Sequence, residues 1–438
     1  MKYAHIADLH LGSWRDQRMR DLSTKAFLSA VNDCVARRVD FILFAGDLFN
    51  TSLPSIDTLK IITSKLKELN EKGISLYTIA GSHDFSPSGK TMLDVLENAG
   101  LLINVCKGTV NPETKQLELN FTVDSGTGAK ITGIIGRRGL LDKTYYENLN
   151  RESFEKEGRT ASGKQAYKIF MFHTTLTELK PKHLEMMDSQ PASFLPKGFN
   201  YYAGGHVHHP TKIDIPELGV MTYPGALFPN NFAELEKYSK GGYYLISVSD
   251  SAGENSGGGS GQGQSIAQDI EWIPIEVIKH QSLVLDCKQK TPEQVKSEII
   301  AHFSNEELSD LNNTLVTIRL FGQLSEGKTS DINFQEIFDQ LYQQGAYFVM
   351  KNANKLTSKE FEEIKTGVGD LSNEEVEENI IKEHLQQFNT FEAGTELQLI
   401  KSLINVLNTK KGDGEKVYDF DDRIMNEIDT VLDQNDKS

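Results

Sequence analysis

The chain has 438 residues, of which 38% are hydrophobic and 25% are charged, a composition typical of globular proteins that fold in water. This length predicts two or three domains with buried cores. No apolar run reaches the roughly 20 residues that a membrane-spanning helix needs, so we expect no membrane contact. The formal net charge of −16 excludes a chain that is basic along its whole length.

The negative charge is concentrated in the second part of the chain. Residues 1–250 contain 29 lysines and arginines against 28 aspartates and glutamates, whereas residues 251–438 contain 17 against 34. We therefore expect the acidic part to face solvent or a basic protein partner rather than a polyanion. The three cysteines, Cys34, Cys106 and Cys287, have no metal-type spacing, and they predict reduced core thiols and a cytoplasmic location.

Strands and helices alternate along residues 1–250. Helical spacing of apolar residues predicts helices over 19–36, 55–71, 92–98 and 143–157. Short apolar or alternating runs predict strands over 3–7, 41–44, 74–79, 101–105, 116–123, 130–136, 167–172, 199–203 and 243–248. This pattern indicates an α/β (α+β) fold in which two sheets form a β-sandwich flanked by helices.

Metal-ligating residue types follow five of these strands. Asp8 and His10 follow the first strand, and residues two apart in an extended chain point to the same side. The other strand ends carry Asp47, then Ser82 with His83 and Asp84, then His173, then His206 and His208. A surface carboxylate or a core histidine is the ordinary explanation of each residue alone, but five such motifs in order favour a metal site.

The chemistry of this set indicates the metal. Carboxylate oxygens mixed with several imidazoles suit manganese, iron or zinc better than magnesium or calcium. The residues are too many for one ion, and a carboxylate such as Asp47 can bridge two. Two ions about 3.5–4 Å apart can hold the attacking and the leaving oxygen of an in-line phosphoryl displacement.

The rest of the chain divides by composition. Residues 251–265, SAGENSGGGSGQGQS, predict a flexible linker or surface loop. Residues 266–356 predict a small βαβαβ-type capping domain, with strands over 272–286, 314–321 and 347–352 and helices over 292–304 and 334–343. A second linker, 357–373, precedes a helical segment, 374–438, with helices over 376–388, 397–407 and 420–432. These helices are short and charged, so we expect them to dock on a partner; a helical cap on the same chain is the alternative.

The motifs resemble those of a known superfamily. The order D-x-H, G-D, G-[N]-H-D, a lone His and G-H-x-H is similar to that of the calcineurin-like metallophosphoesterases. The variants HIADLHLG, GDLF, FHTT and GGHVHH resemble those of the meiotic-recombination-eleven (SbcD-type) nucleases of double-strand-break repair. The resemblance covers the catalytic domain, the capping domain and the helical segment.

The resemblance implies roles for the strand-end residues. It implies two Mn²⁺ ions per chain, with iron or zinc as alternatives. One ion would be held by Asp8, His10, Asp47 and His208, and the second by Asp47, Ser82, His173 and His206. His83, followed by Asp84, falls where these enzymes keep a catalytic histidine that orients the phosphate or protonates the leaving oxygen.

Two positions depart from the family pattern. Ser82 replaces the usual asparagine, and its hydroxyl is a weaker metal ligand than an amide oxygen. Asn50 stands where the nucleases often have a second histidine, and asparagine cannot act as an acid near neutral pH. The rate, and the choice between exonuclease and endonuclease cutting, therefore remain open at this point.

Further residues are candidates for binding surfaces. Arginine forks suit phosphate oxygens, so DNA contacts are expected at Trp14, Arg15, Arg18, Asn50, Arg137 and Arg138, with a solvated charged loop as the alternative. In the family the helices matching 55–71 and 92–98 pair across a two-fold axis, which predicts a homodimer interface at Leu59, Ile62, Leu66, Met92 and Leu96. Ordinary packing on the sheet is the alternative there.

The function implied by the resemblance is a Mn-dependent DNA nuclease, both a double-strand exonuclease and a single-strand endonuclease. It would work in double-strand-break repair, in the cytoplasm at the nucleoid. Its partner would be an SMC-like ABC ATPase of the radiation-sensitive-fifty (SbcC) type, bound through the C-terminal helices. Two alternatives stay open: a phosphatase or cyclic-nucleotide phosphodiesterase on the same two-metal site, and a catalytically attenuated DNA-binding scaffold of the same complex.

Overall fold

The computed structural model describes residues 1–86, 89–137, 139, 141–152, 154, 166–180, 188–250, 266–305, 310–358, 378, 381–382, 385, 393–412 and 417–435. The chain forms two compact units, Met1–Lys279 and His280–Ser438. Within the described ranges, no helix is long and apolar enough to cross a membrane. The predicted linker 251–265, nearly all of 357–373, most of the predicted helix 376–388 and Arg138 lie outside the described residues.

Two sheets face each other in the first unit, as the sequence predicts. The first sheet has, in spatial order, β14 (Ile266–Ile275), β13 (Gly241–Asp250), β1 (Lys2–Ile6), β2 (Phe41–Ala45), β3 (Ser75–Ile79) and β4 (Ile103–Asn104). The second has β11 (Thr211–Ile215), β12 (Gly219–Tyr223), β10 (Tyr201–Gly205), β9 (Lys168–His173), β8 (Lys130–Gly133) and β7 (Thr122–Val123). A separate hairpin pairs β5 (Gly108–Val110) with β6 (Leu117–Leu119).

The core between the sheets takes large side chains from both. Tyr3, Phe41 and Tyr77 from the first sheet pack with Ile169 and Tyr201 from the second. Every residue of β2 is buried, because a central parallel strand is covered on both faces. The two-sheet sandwich that the sequence predicts is thus confirmed.

Helices cover the outer faces of the first unit. They are α1 (Gln17–Ala36), α2 (Ile56–Glu71), α3 (Met92–Asn98), α4 (Lys143–Glu147) and α5 (Phe232–Tyr238). The side chains of Asp16 and Ser55 accept hydrogen bonds from the first turns of α1 and α2, which fixes where these helices begin. Strands β5, β11 and β12 and helix α5 were not predicted from the sequence, and the strand predicted over 116–123 is two short strands, β6 and β7.

The division between the units differs from the predicted boundary at residue 250. Strand β14 pairs antiparallel with β13 along its whole length, and the Trp272 indole N–H donates to the Pro224 carbonyl at 3.0 Å. Residues 266–275 therefore belong to the first unit rather than to the capping domain. The predicted strand 272–286 is two strands, because β14 ends at Ile275 and the next strand begins at Lys279.

The second unit contains the expected small α/β arrangement. Its sheet has the order β15 (Lys279–Asp286), β16 (Thr314–Gln323) and β17 (Phe348–Thr357). Helices α6 (Pro292–Phe303) and α7 (Phe334–Gln343) pack on it through buried residues that include Val295, Ile299, Ile337 and Leu341. Two later helices are α8 (Ala393–Leu407) and α9 (Val417–Asn435).

The predicted dimer contacts need correction. Ile62, Leu66 and Leu96 are 1%, 0% and 2% exposed, so they are buried inside this chain and are not available for contact with a second chain. Leu59 and Met92 are half-buried. Among the described residues of α2, α3 and the loop before α2, the exposed large apolar side chains are Leu53, Ile56, Ile61 and Val95, which are 77%, 83%, 39% and 57% exposed. Helical spacing identifies the apolar stripe of a helix but not which of its residues face the core.

Candidate metal centre

The candidate ligands meet where strands of both sheets end. Asp8 and His10 follow β1, Asp47 follows β2, and Ser82 and His83 follow β3. From the second sheet come His173, the last residue of β9, and the residues after β10, which are His206 and His208. Parallel strands end at the same edge, and the two sheets bring their edges together.

Several of these residues have an unusual backbone conformation. The φ angles of Asp8, His10, Asp47 and His206 are +50°, +41°, +51° and +86°, in a region that side-chain-bearing residues rarely occupy. Backbone hydrogen bonds hold the strained turns, since the Asp8 N–H donates to Gly46 O at 3.2 Å and the His10 N–H to Asp47 O at 3.0 Å. Such strain is commonly found at functional sites.

The side chains form three overlapping groups suited to metal ions. In each group the ligand atoms lie within 4.8 Å of one another; the groups are Asp8–His10–His208, Asp47–His173–His206 and His10–Asp47–His83. Asp47 belongs to two of them. Its Oδ2 lies 3.2 Å from His173 Nε2 and 3.6 Å from His10 Nε2, which is the position of a carboxylate shared between two sites.

Charge and burial shape the protonation of these groups. Burial opposes ionisation of Asp47, but His173 and His10 hold its pKa well below the usual range. Burial would lower the pKa of His173, yet the Asp47 and Asp8 carboxylates raise it to about 10. Burial, assisted by the neighbouring His173, lowers the pKa of His206 to about 3. The pKa of His10 is also lowered by burial.

The donor set fits divalent cations. His10 Nε2 and His208 Nε2 lie 3.1 Å apart, and two imidazole nitrogens at that distance can share only one proton. His173 donates from Nδ1 to the Ala45 carbonyl at 2.8 Å, which leaves Nε2, 3.2 Å from Asp47 Oδ2, as the nitrogen that faces the site. A Cβ atom at Gly81 would overlap Asp47, so only glycine leaves room for the carboxylate. Divalent cations would displace the protons that these side chains otherwise hold or share.

Glu234 is a site residue that the sequence analysis missed. Its Oε1 lies 2.9 Å from His208 Nδ1, while its Oε2 accepts from the Asn230 N–H at 2.8 Å. The carboxylate therefore fixes Nδ1 of His208 as the protonated nitrogen and presents Nε2 to the site. The only sequence signal was Asn231-x-x-Glu234, which marks a helix start and gives no hint of a histidine partner.

The residues after β3 have distinct positions. The Ser82 hydroxyl donates to Asp47 Oδ2 at 3.4 Å, beside the Asp47–His173–His206 group. His83 donates from Nδ1 to the Asn50 carbonyl at 2.8 Å. Asp84 was predicted to be catalytic together with His83, but it is 1% exposed and its two oxygens accept from the N–H groups of Gly81 and Phe49. It is a positioning residue, because it ties the turn that carries His83 to the loop that carries Asn50.

The residues predicted to contact DNA lie in different surroundings. Arg15 and Arg18 are exposed, and Arg18 lies 3.4 Å from Asp16. The Trp14 indole N–H donates to Pro229 O at 3.0 Å, so the indole braces the loop before α5. Asn50 and Arg137 line a cleft of about 520 Å³ that also contains Ser82 and His83. These two therefore share a cleft with residues of the metal centre.

Replacing Glu234 with glutamine removes one charge and keeps an oxygen acceptor. Because partners of this kind typically contribute 10- to 100-fold to metal affinity, we expect Glu234→Ala to weaken Mn²⁺ binding by about that factor and Glu234→Gln to weaken it less. Isothermal titration calorimetry with the full chain measures both. Glu236→Ala, on the same helix, is the matched control. Unchanged affinity in Glu234→Ala would contradict this role.

Comparisons with known proteins agree with this geometry. Residues 1–210 match the family model described as calcineurin-like phosphoesterase. A protein of Methanopyrus kandleri named DNA double-strand break repair protein Mre11 is 27% identical over 263 residues, which are 56% of this chain and 54% of that protein. A protein of the same name from Methanococcus maripaludis is 28% identical over 262 residues, 57% of this chain and 63% of its own length.

A bacterial relative is the uncharacterized metallophosphoesterase YhaO of Bacillus subtilis, 24% identical over 262 residues, 57% of this chain and 58% of that protein. The chain thus spans 54 to 63% of the length of these curated relatives. The matched region contains every candidate ligand. Residues 1–210 are therefore similar to the calcineurin-like phosphoesterases, and the chain is similar to archaeal Mre11 proteins.

Proposed function

We propose that this protein is a manganese-dependent DNA nuclease that hydrolyses phosphodiesters during double-strand-break repair at the nucleoid. The observation that carries the proposal is the pair of ligand groups sharing Asp47 beside a cleft lined by His83. The names of the archaeal relatives support DNA as the substrate. The mixed carboxylate and imidazole donors favour manganese, with iron or zinc as alternatives.

Two bound divalent ions would supply positive charge that activates water and stabilises the transition state. The residues of the chain would bind the DNA strand and transfer a proton. Because the Asn50 carbonyl only accepts, Nδ1 of His83 carries a proton, and Nε2 is the nitrogen that gains or releases one. We assign His83 the transfer of a proton to the leaving oxygen. The DNA strand would be contacted by Asn50, Arg137, Arg15 and Arg18. The backbone carbonyl of Asn50 also holds His83.

The first test is cleavage of end-labelled linear duplex and of hairpin DNA in Mn²⁺. We expect exonuclease cutting of the duplex and endonuclease cutting of the hairpin, and a loss of about 10²- to 10⁴-fold in His83→Ala, the usual contribution of a general acid. The control is His280→Ala, since His280 bonds to Thr317 in the second unit.

Three results would count against the proposal. Equal cutting by His83→Ala would remove His83 from the chemistry. Hydrolysis confined to mononucleotide esters would favour a phosphatase or cyclic-nucleotide phosphodiesterase. DNA binding without any cutting would favour the attenuated scaffold, for which the weak hydroxyl ligand at Ser82 is the supporting observation.

We also propose that two copies associate through the exposed apolar residues of α2, α3 and the loop before α2. Leu53, Ile56 and Val95 are each more than half exposed. Ile56 and Val95 lie on helices that pair in the family, and Leu53 lies in the loop before α2. Leu59 and Met92, half-buried on the same helices, would complete the interface.

Val95 is 57% exposed, so Val95→Asp places a charge in the proposed interface without disturbing the fold. We expect this variant to be a monomer, with half the mass of the natural protein in light scattering. Val123→Asp is the matched control, because Val123 is 55% exposed on strand β7. A dimeric Val95→Asp would argue against this interface. Leu66 is unsuitable for the test because it is fully buried.

A further proposal concerns the acidic C-terminal helices, which we assign to an SMC-like ABC ATPase partner. On α8 and α9, Leu407, Met425 and Leu432 are 65%, 58% and 43% exposed. At these positions the coiled coil of an ATPase would find apolar contacts within an acidic surface.

Deleting residues 374–438 should abolish binding of the ATPase subunit in a pull-down and leave Mn²⁺-dependent cleavage largely intact. The double variant Leu407→Asp with Met425→Asp should weaken binding in the same direction. ATPase binding that survives the deletion would overturn the assignment.

A further inference from the structure

The cleft beside the metal centre extends beyond the residues that the proposed chemistry uses. Its lining includes Ser82 and His83 at one side and Phe85, Arg137 and Leu141 at the other. A volume of about 520 Å³ falls in the range of pockets that hold small organic ligands. The second group of residues has no part in holding ions or moving protons.

The walls of this part of the cleft combine a guanidinium with an aromatic and an aliphatic side chain. The Arg137 guanidinium lies 5.3 Å from the ring centroid of Phe85 and 5.9 Å from that of Tyr145, so it is held against aromatic rings. Leu141 is 64% exposed, which leaves a large aliphatic side chain in water at the cleft. Among the described lining residues, Arg137 alone carries a permanent positive charge.

These features suit an aromatic ring better than a phosphate. A phosphate site would present several cations or backbone N–H groups converging on one point, whereas here a single guanidinium is stacked on rings. A planar ring gains from stacking on an aromatic or guanidinium surface and from covering an exposed aliphatic side chain. Such contacts accept purines and pyrimidines alike, since every base has a π-face.

We propose that the cleft formed by Phe85, Arg137 and Leu141 binds the base of the DNA nucleotide whose phosphate lies at the metal centre. The proposal rests on the proposed nuclease function and deepens it, because it makes an unstacked nucleotide the substrate unit. The base is held by stacking, and the base site is continuous with the site of hydrolysis through His83. Recognition at this site is independent of sequence.

The test compares ligands that differ only in the base. Deoxyadenosine 5′-monophosphate and 2-deoxyribose 5-phosphate are titrated calorimetrically into the full chain in Mn²⁺. We expect the nucleotide to bind roughly tenfold to a hundredfold more tightly, the usual gain from stacking one base. Oligonucleotides with a normal or an abasic terminal nucleotide should show the same preference in competition.

Two variants test the walls of the cleft. Phe85→Leu keeps apolar volume and removes the flat ring, and Leu141→Ser removes the exposed aliphatic group. Each should lower the preference for the nucleotide severalfold while the affinity for 2-deoxyribose 5-phosphate stays unchanged. Val110→Ser is the control, because Val110 is 61% exposed on β5, away from the cleft lining.

Equal affinities for the two ligands in the natural protein would overturn the proposal, and so would a preference that persists in both variants. A preference shown by the mononucleotide but not by the oligonucleotides would overturn the assignment to DNA. The nuclease proposal is judged separately: DNA cleavage without a base preference removes this cleft site alone, whereas a base preference without DNA cleavage leaves the site and removes the nuclease.

Discussion

The buried carboxylate of Asp47 is the group on which the rest of the site depends. It is 1% exposed, and an ionised carboxylate is costly to bury unless it is paired and hydrogen-bonded. His173 and His10 approach one oxygen, and the backbone N–H of His83 donates to the other at 2.7 Å. Two ligand groups meet at this residue, so its position sets the distance between the ions that they would hold.

The fold explains how Asp47 is held. It follows β2, a central strand buried along its whole length, and its backbone is fixed in a rarely populated conformation. The loop after β1 bonds to it from one side, and the turn after β3 bonds to it from the other. Asp84 then ties that turn back to Phe49. The strain is local, and it is supported by the rigid edges of two packed sheets.

The sequence predicts the parts of the protein that follow local rules. Apolar strands ending in Asp-x-His, Gly-Asp and Gly-His-x-His indicate both the sandwich and the ligand set, because the carboxyl ends of parallel strands converge. Contacts between distant segments are not visible in such patterns. Glu234 reaches His208 across 26 residues, and β14 joins the first sheet only after residues 251–265. For the same reason, spacing could not distinguish buried Leu66 from exposed Ile56 on one helix.

The most direct test of this account is the number of Mn²⁺ ions that the full chain binds, measured by calorimetry and by electron paramagnetic resonance. We expect two ions per chain with spin coupling between them. Asp47→Asn should lose that coupling and bind both ions more weakly, whereas Asp40→Asn, a change at an exposed carboxylate, should leave both properties intact. Two spin-coupled ions bound with unchanged affinity by Asp47→Asn would contradict the central place given to this carboxylate.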